Sequence, residues 1–280
     1  MFLRITSPLL ILSLAFSFNT FAEDVQPAPK VDTVEVTVPP PSLIIKGENI
    51  PDAVQEAIKG IIAPEKTTNN TVIVTLSPMK GLYEIVAGAN VFYISEDGQY
   101  VLLGDLRHSE TGANYTDERR KQVRSNILNT LDENELIVFA PKGATQYTVN
   151  IFTDVDCPYC AKIHQEVPAL NEAGVKVRYL AFPRAGAGSP TYDTMVSVWC
   201  AEDKKQALSD AKANITVEHK TCDNPVAKQY QLGQVLGVTG TPALYLADGE
   251  KLPGYVPAKN LISYLKQKDL MYKLHMKGKQ

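Results

Sequence analysis

A strong charge of either sign is absent from this chain: 28 Lys and Arg stand against 31 Asp and Glu over 280 residues, a formal net charge of −3. Such a balance gives no argument for nucleic acid as a partner. Membrane-length apolar runs are missing as well. Leu9–Phe18 is apolar but falls short of the ~20 residues a spanning helix needs. It follows Arg4 and precedes Thr20-Phe21-Ala22, the layout of a secretory signal over residues 1–22. Cleavage after Ala22 removes one basic and no acidic residue, leaving 27 Lys and Arg against 31 Asp and Glu. No internal repeat is evident. The 44% hydrophobic content suffices for one large or two modest cores.

Cysteine is scarce, four in all, and two of the four sit together as Cys157-Pro158-Tyr159-Cys160. The pair falls between a β-type run, Tyr147–Phe152, and a helical one, Ala161–Asn171. That placement reads as a thioredoxin-like redox pair. A cysteine at a helix N-terminus faces unpaired N–H groups and the positive end of the dipole, both of which favour the nucleophilic thiolate. Pro158 suits the first helical position. Cys157 is then the attacking thiol and Cys160 the resolving one. Tyr159, between them, is expected to line the substrate surface. His164, one turn on, reads as a surface or packing residue rather than a tuner of the thiols. Asp154 and Asp156 read as cap and turn residues rather than proton relays.

Upstream, the Pro- and Val-rich stretch with Pro39-Pro40-Pro41 predicts an extended arm over 23–48. A helix over Pro51–Ile62 and strands at Thr71–Leu76, Leu82–Val86, Val91–Ile94 and Tyr100–Leu103 predict a small α+β domain, 49–112, with too little core to ignore a partner surface. Thr116–Leu131, with Val123, Ile127 and Leu131 as a narrow apolar stripe, predicts a linker helix within 113–133. A second domain, 134–280, should be α/β and thioredoxin-like. Its βαβ unit ends in Val175–Leu180, followed by inserted helices over Ser189–Ala213 and Ala227–Leu236. A hairpin of Ala243–Leu246 and Lys251–Tyr255 and a closing helix over Pro257–Lys268 complete it.

Thr241-Pro242 lies just before a strand, where proline needs a reason. A cis bond there would present the Thr241 backbone to an extended substrate segment, so both residues are candidate substrate contacts. In an exported chain, Cys200 and Cys222 most simply form a structural disulfide, worth ~3 kcal/mol by loop closure. The rival is a four-cysteine zinc site. It wants two closely spaced ligand pairs and finds one, so no metal and no other cofactor is expected.

Phe152-Thr153-Asp154, the CxxC, Val177-Arg178-Tyr179-Leu180-Ala181-Phe182-Pro183-Arg184, Trp199-Cys200 and Gly237–Ala243 together resemble the DsbC family, bacterial periplasmic thiol:disulfide interchange proteins. The resemblance runs from about Pro51 to Lys268. It implies a V-shaped homodimer with a cystatin-like N-terminal dimerisation domain, a linker helix, and two thioredoxin-like domains facing a shared uncharged cleft. It further implies misfolded disulfide-containing exported proteins as substrates, chaperone activity from the cleft, and a membrane reductase of the DsbD type as electron donor. Cys157, Cys160, Thr241 and Pro242 match the family's site, and Cys200 with Cys222 its structural disulfide. Pro158-Tyr159 departs from the family's usual Gly-Tyr and matches the DsbG branch, which lacks the second cysteine pair. The expected function is disulfide isomerase and reductase. The alternatives are a DsbA-type disulfide-donating oxidase and a non-enzymatic holdase.

Overall fold

The first sheet takes its order from strand alternation that changes partway along the chain. In the computed structural model, which describes residues 42–63, 67 and 70–277, five strands lie in the order β1-β2-β3-β4-β5. They are β1 (Ile44–Lys46), β2 (Thr71–Leu76), β3 (Leu82–Ala87), β4 (Asn90–Ser95) and β5 (Val101–Leu102). β1 runs parallel to β2, and the other neighbours are antiparallel. Along β2, Val72 and Val74 are buried while Ile73 is exposed, the pattern of a strand covered on one face. The covering element is α1 (Asp52–Ile61), whose Val54 and Ile58 pack on Val72, Val74, Ile85 and Ile94. β3 and β4 are buried on both faces because α2 (Tyr115–Asn129) crosses the second one. There the Tyr93 and Thr116 hydroxyls share a 2.6 Å hydrogen bond, and Arg119 pairs with Glu84 at 2.9 Å.

The expected signal, residues 1–22, and the expected arm as far as residue 41 lie outside the described residues. Near the arm's C-terminal end, Ile44–Lys46 is not free chain but an edge strand.

The second sheet has the order β6-β8-β7-β9, from β6 (Ile137–Phe139), β7 (Tyr147–Thr153), β8 (Val175–Ala181) and β9 (Ala243–Leu246). β7 and β8 are parallel, as a βαβ unit requires, and β6 and β9 flank them antiparallel. Side chains alternate between two cores. Val149, Ile151, Val177, Tyr179 and Leu244 face one, with Trp199. Phe152, Leu180, Phe182 and Tyr245 face the other, with Leu128 from α2. The sheet therefore carries a thioredoxin-like arrangement of elements with an α-helical insertion between β8 and β9.

Several elements differ from the sequence expectation. The helix expected over Ala161–Asn171 is two: α3 (Pro158–Gln165) and α4 (Val167–Glu172). Pro168 has no N–H to continue the ladder, and the chain restarts at Glu166. The insert's first stretch also divides, into α5 (Pro190–Trp199) and α6 (Lys204–Lys212), the latter capped by Asp203 accepting from Lys205 N and Gln206 N. α7 (Val226–Val235) follows. Lys251–Tyr255 forms no strand; it makes a single bridge, Tyr245 to Lys251, because Pro253 and Gly254 interrupt the ladder. α8 (Ala258–Lys277) continues beyond Lys268, anchored by buried Leu261 and Leu265. β6 was not foreseen.

α2 joins the two sheets. Asn114 caps its start by accepting from Asp117 N at 3.0 Å. Arg178 from β8 donates to the carbonyls of Leu128 and Leu131 at 3.2 Å each, closing its end. Ala247, at the end of β9, accepts from Ser125 Oγ at 2.8 Å and Asn129 Nδ2 at 3.0 Å. Of the expected stripe, Ile127 and Leu131 pack against the core, but the fully buried residue of this half is Leu128.

Candidate active site

The C-terminal ends of the two central parallel strands place the site, as they do in open α/β sheets generally. β7 delivers Thr153, Asp154 and the turn into Cys157; β8 delivers Phe182 and Arg184. Asp154 is buried and organises that turn. It accepts from Asp156 N at 2.8 Å, Arg184 N at 2.8 Å and Arg184 Nε at 3.0 Å. The turn role expected of Asp154 is thus present, with an ion pair added. Asp156 accepts a hydrogen bond from the Thr191 hydroxyl.

Cys157 is the N-cap of α3, and its sulfur accepts from Cys160 N at 3.3 Å. As a thiol it donates to the Thr241 carbonyl at 3.2 Å. The peptide bond between Thr241 and Pro242 is cis. Cys157 and Cys160 are not bridged to each other, and both are buried. Their surroundings push them apart chemically. Hydrogen bonding from the Cys160 thiol, aided by Thr241, the Cys160 backbone N–H and the Arg184 charge, lowers the Cys157 pKa to about 5 against the opposition of burial. Burial, and then the hydrogen bond to Cys157, raises Cys160 above the usual thiol range. One cysteine is a thiolate at neutral pH and the other a thiol, which is the polarity that nucleophilic attack followed by resolution demands.

Tyr159 projects from the motif, 60% exposed, with its ring 5.9 Å from that of Tyr255. Tyr255 in turn is fixed by hydrogen bonding to Glu166 and by Lys162 Nζ, 4.9 Å over its ring. Cys200 and Cys222 are joined as a disulfide spanning 22 residues, linking the end of α5 to the loop before α7. His164 packs away from the thiols, between Tyr179 Oη (3.1 Å) and Ser209 Oγ (2.9 Å), and burial lowers its pKa to about 4.

Sequence reasoning missed two cations. Arg184 stood only as the last residue of the run that resembles the DsbC family, with no role attached. Lys212, the last residue of α6, carried no signal. It is 6% exposed and donates to Thr153 Oγ1 at 2.7 Å and the Asp154 carbonyl at 3.4 Å. Among the described residues, no cluster of His, Cys, Asp or Glu is arranged to hold a metal ion. No helix among them is long and apolar enough to cross a membrane.

Residues 49–117 match the family described as disulfide bond isomerase protein N-terminal domain, and residues 133–269 match the thioredoxin-like domain family. The thiol:disulfide interchange protein DsbC of Salmonella typhimurium is 37% identical over 189 residues, covering 68% of this chain and 78% of its own length. DsbC of Escherichia coli K12 is 34% identical, covering 70% and 81%. DsbC of Haemophilus influenzae is 36% identical, covering 71% and 85%.

Proposed function

Because this chain belongs to the DsbC family of thiol:disulfide interchange proteins, we propose that it is a periplasmic disulfide isomerase and reductase whose nucleophile is Cys157. One observation carries the reading. A thiol with its pKa lowered to about 5 caps a helix, 3.2 Å from a backbone carbonyl at the mouth of the site.

The Cys157 thiolate attacks one sulfur of a wrong substrate disulfide. A mixed disulfide forms, and the other substrate sulfur leaves as a thiolate. A second substrate thiolate then attacks the substrate-side sulfur, forming a new substrate disulfide and returning Cys157 as thiolate; no net electrons move. Alternatively Cys160 attacks Cys157 Sγ, giving an oxidised enzyme and a reduced substrate. A membrane reductase of the DsbD type then restores the dithiol. Ionised Cys157 no longer donates to the Thr241 carbonyl, which is free to accept from an extended substrate backbone as an added strand. Pro242 holds that loop in place, and Tyr159 offers an aromatic face beside the attacking sulfur.

Residues 1–22 direct export, and residues 49–112 are the dimerisation domain, joined by the helix within 113–133 to the catalytic domain, 134–280. The support for dimerisation is the edge strand β5. Tyr100, Val101, Leu102 and Leu103 are 70, 41, 45 and 79% exposed in succession, an apolar edge that a second copy would cover. The cleft between two protomers supplies the chaperone activity.

Recovery of activity from scrambled ribonuclease tests the proposal. Wild-type protein should catalyse recovery and Cys157→Ser should not. No catalysis by wild type, or full catalysis by Cys157→Ser, overturns it.

A further inference from the structure

Lys212 is a buried cation that the steps above do not use. A lysine is almost never buried without a partner, because leaving water costs its charge several kcal/mol. Here its hydrogen-bond partners are neutral: the Thr153 hydroxyl at 2.7 Å and the Asp154 carbonyl at 3.4 Å. Of the two nearby carboxylates, Asp154 is committed to Arg184 and Asp156 accepts from the Thr191 hydroxyl. Its place in the fold is beside the thiols. His164, one turn after Cys160 on α3, meets Ser209, one turn before Lys212 on α6, at 2.9 Å, and the Asp154 carbonyl that accepts from Lys212 also accepts from Cys157 N at 3.2 Å.

We propose that Lys212 is the positioning residue of the resolving step, holding positive charge where the Cys160 thiolate must form inside the fold. The proposal deepens the isomerase reading and rests on it. Resolution needs Cys160 as a thiolate, and Cys160 is fully buried, where an uncompensated anion is strongly disfavoured. A fixed cation offsets that penalty at the moment of attack. The bond formed is Cys157–Cys160; the bond broken is the mixed disulfide. The departing thiolate takes up the proton lost by Cys160, and the enzyme dithiol supplies the two electrons that reduce the substrate.

The surroundings of the two groups are consistent with this assignment. The titratable groups near Lys212 are Cys157, Cys160 and His164 of α3, Asp154 and Asp156 of the turn after β7, and the ring of Tyr179 on β8 at 5.9 Å. Arg184 also acts on both cysteines, but it is nearly half exposed and engaged by Asp154. Burial lowers the Lys212 pKa, and the two cysteines are the first groups that raise it again. The consequence is functional. Whether a mixed disulfide is resolved by Cys160 or waits for a substrate thiol decides between reduction and isomerisation. Lys212 therefore sets that partition without touching the substrate.

The test uses glutathione disulfide and the full-length reduced protein, following formation and resolution of the Cys157–glutathione mixed disulfide separately by rapid mixing and acid trapping. Lys212→Met and Lys212→Gln should form the mixed disulfide at the wild-type rate. Both should resolve it at least about tenfold more slowly at neutral pH, with the pH profile of resolution displaced upward by one unit or more. Lys212→Gln keeps hydrogen-bonding capacity toward Thr153 and Asp154 without the charge, and it decides the matter if Lys212→Met does not fold. Wild-type resolution in either folded variant, or an equal slowing of both steps, overturns the proposal. A wild type that resolves glutathione normally but fails on scrambled ribonuclease would defeat the isomerase reading alone.

Discussion

At the scale of single residues, the site separates two chemically identical side chains by where they stand. Cys157 accepts a backbone N–H at the start of α3 and senses Arg184; Cys160, three residues on, is sealed in the core. In the reduced protein, the ultraviolet absorbance of the Cys157 thiolate should therefore rise with a midpoint near pH 5 and vanish in Cys157→Ser. A midpoint near the free-thiol value of about 8.5 contradicts the assignment. The same shift makes a stability statement. The folded pKa lies below the unfolded one, so the stabilising contribution is fully present above about 8.5 and is lost as pH falls through about 5. The CxxC itself was legible in the sequence because its residues are contiguous. Asp154, Arg184 and Lys212 meet only after β7, β8 and α6 are assembled, so no local pattern announced them as a group. Tyr255, which steadies Tyr159, lies in a stretch with a strand-like sequence and reaches the site only in the folded chain.

At the scale of elements, strand periodicity and turn residues located most of the pieces, and the errors fall where local signals compete. Helical periodicity carried through Glu166 and past Cys200, but a proline in one case and an aspartate cap in the other restarted the chain. β6 is three residues long and depends on pairing with β8 rather than on its own pattern. Asp248-Gly249 has the sequence of a hairpin turn between two strands, but Lys251–Tyr255 forms no strand and the turn meets α2 instead. Gly249 has a φ of +84°, and an added Cβ would fall 1.9 Å from the Lys121 carbonyl. Gly249→Ala should therefore lose on the order of 1–3 kcal/mol of unfolding free energy in urea titrations. Gly60→Ala, on an open helix face with nothing within 4 Å, should gain roughly 0.5–1 kcal/mol. Equal effects from the two would contradict a close docking of the turn on α2.

At the scale of the molecule, a small sheet whose apolar edge strand β5 has no second strand beside it among the described residues is joined by one helix to a thioredoxin-like domain. The order of these parts was readable because each has its own period and length. How α2 fastens to the second sheet was not, since it depends on Arg178, Ser125 and Asn129 reaching carbonyls far away in sequence. If the β5 edge joins two copies, Leu103→Asp should convert a sedimenting dimer to a folded monomer with its melting curve for the second domain retained; an unchanged dimer places the interface elsewhere. The most direct test of the central claim is covalent trapping. Cys160→Ser protein is mixed with a scrambled disulfide substrate, quenched, and the cross-link mapped by mass spectrometry. The account requires a substrate sulfur bonded to Cys157. No mixed disulfide in the folded variant, or one formed at Cys200 or Cys222 instead, would contradict it.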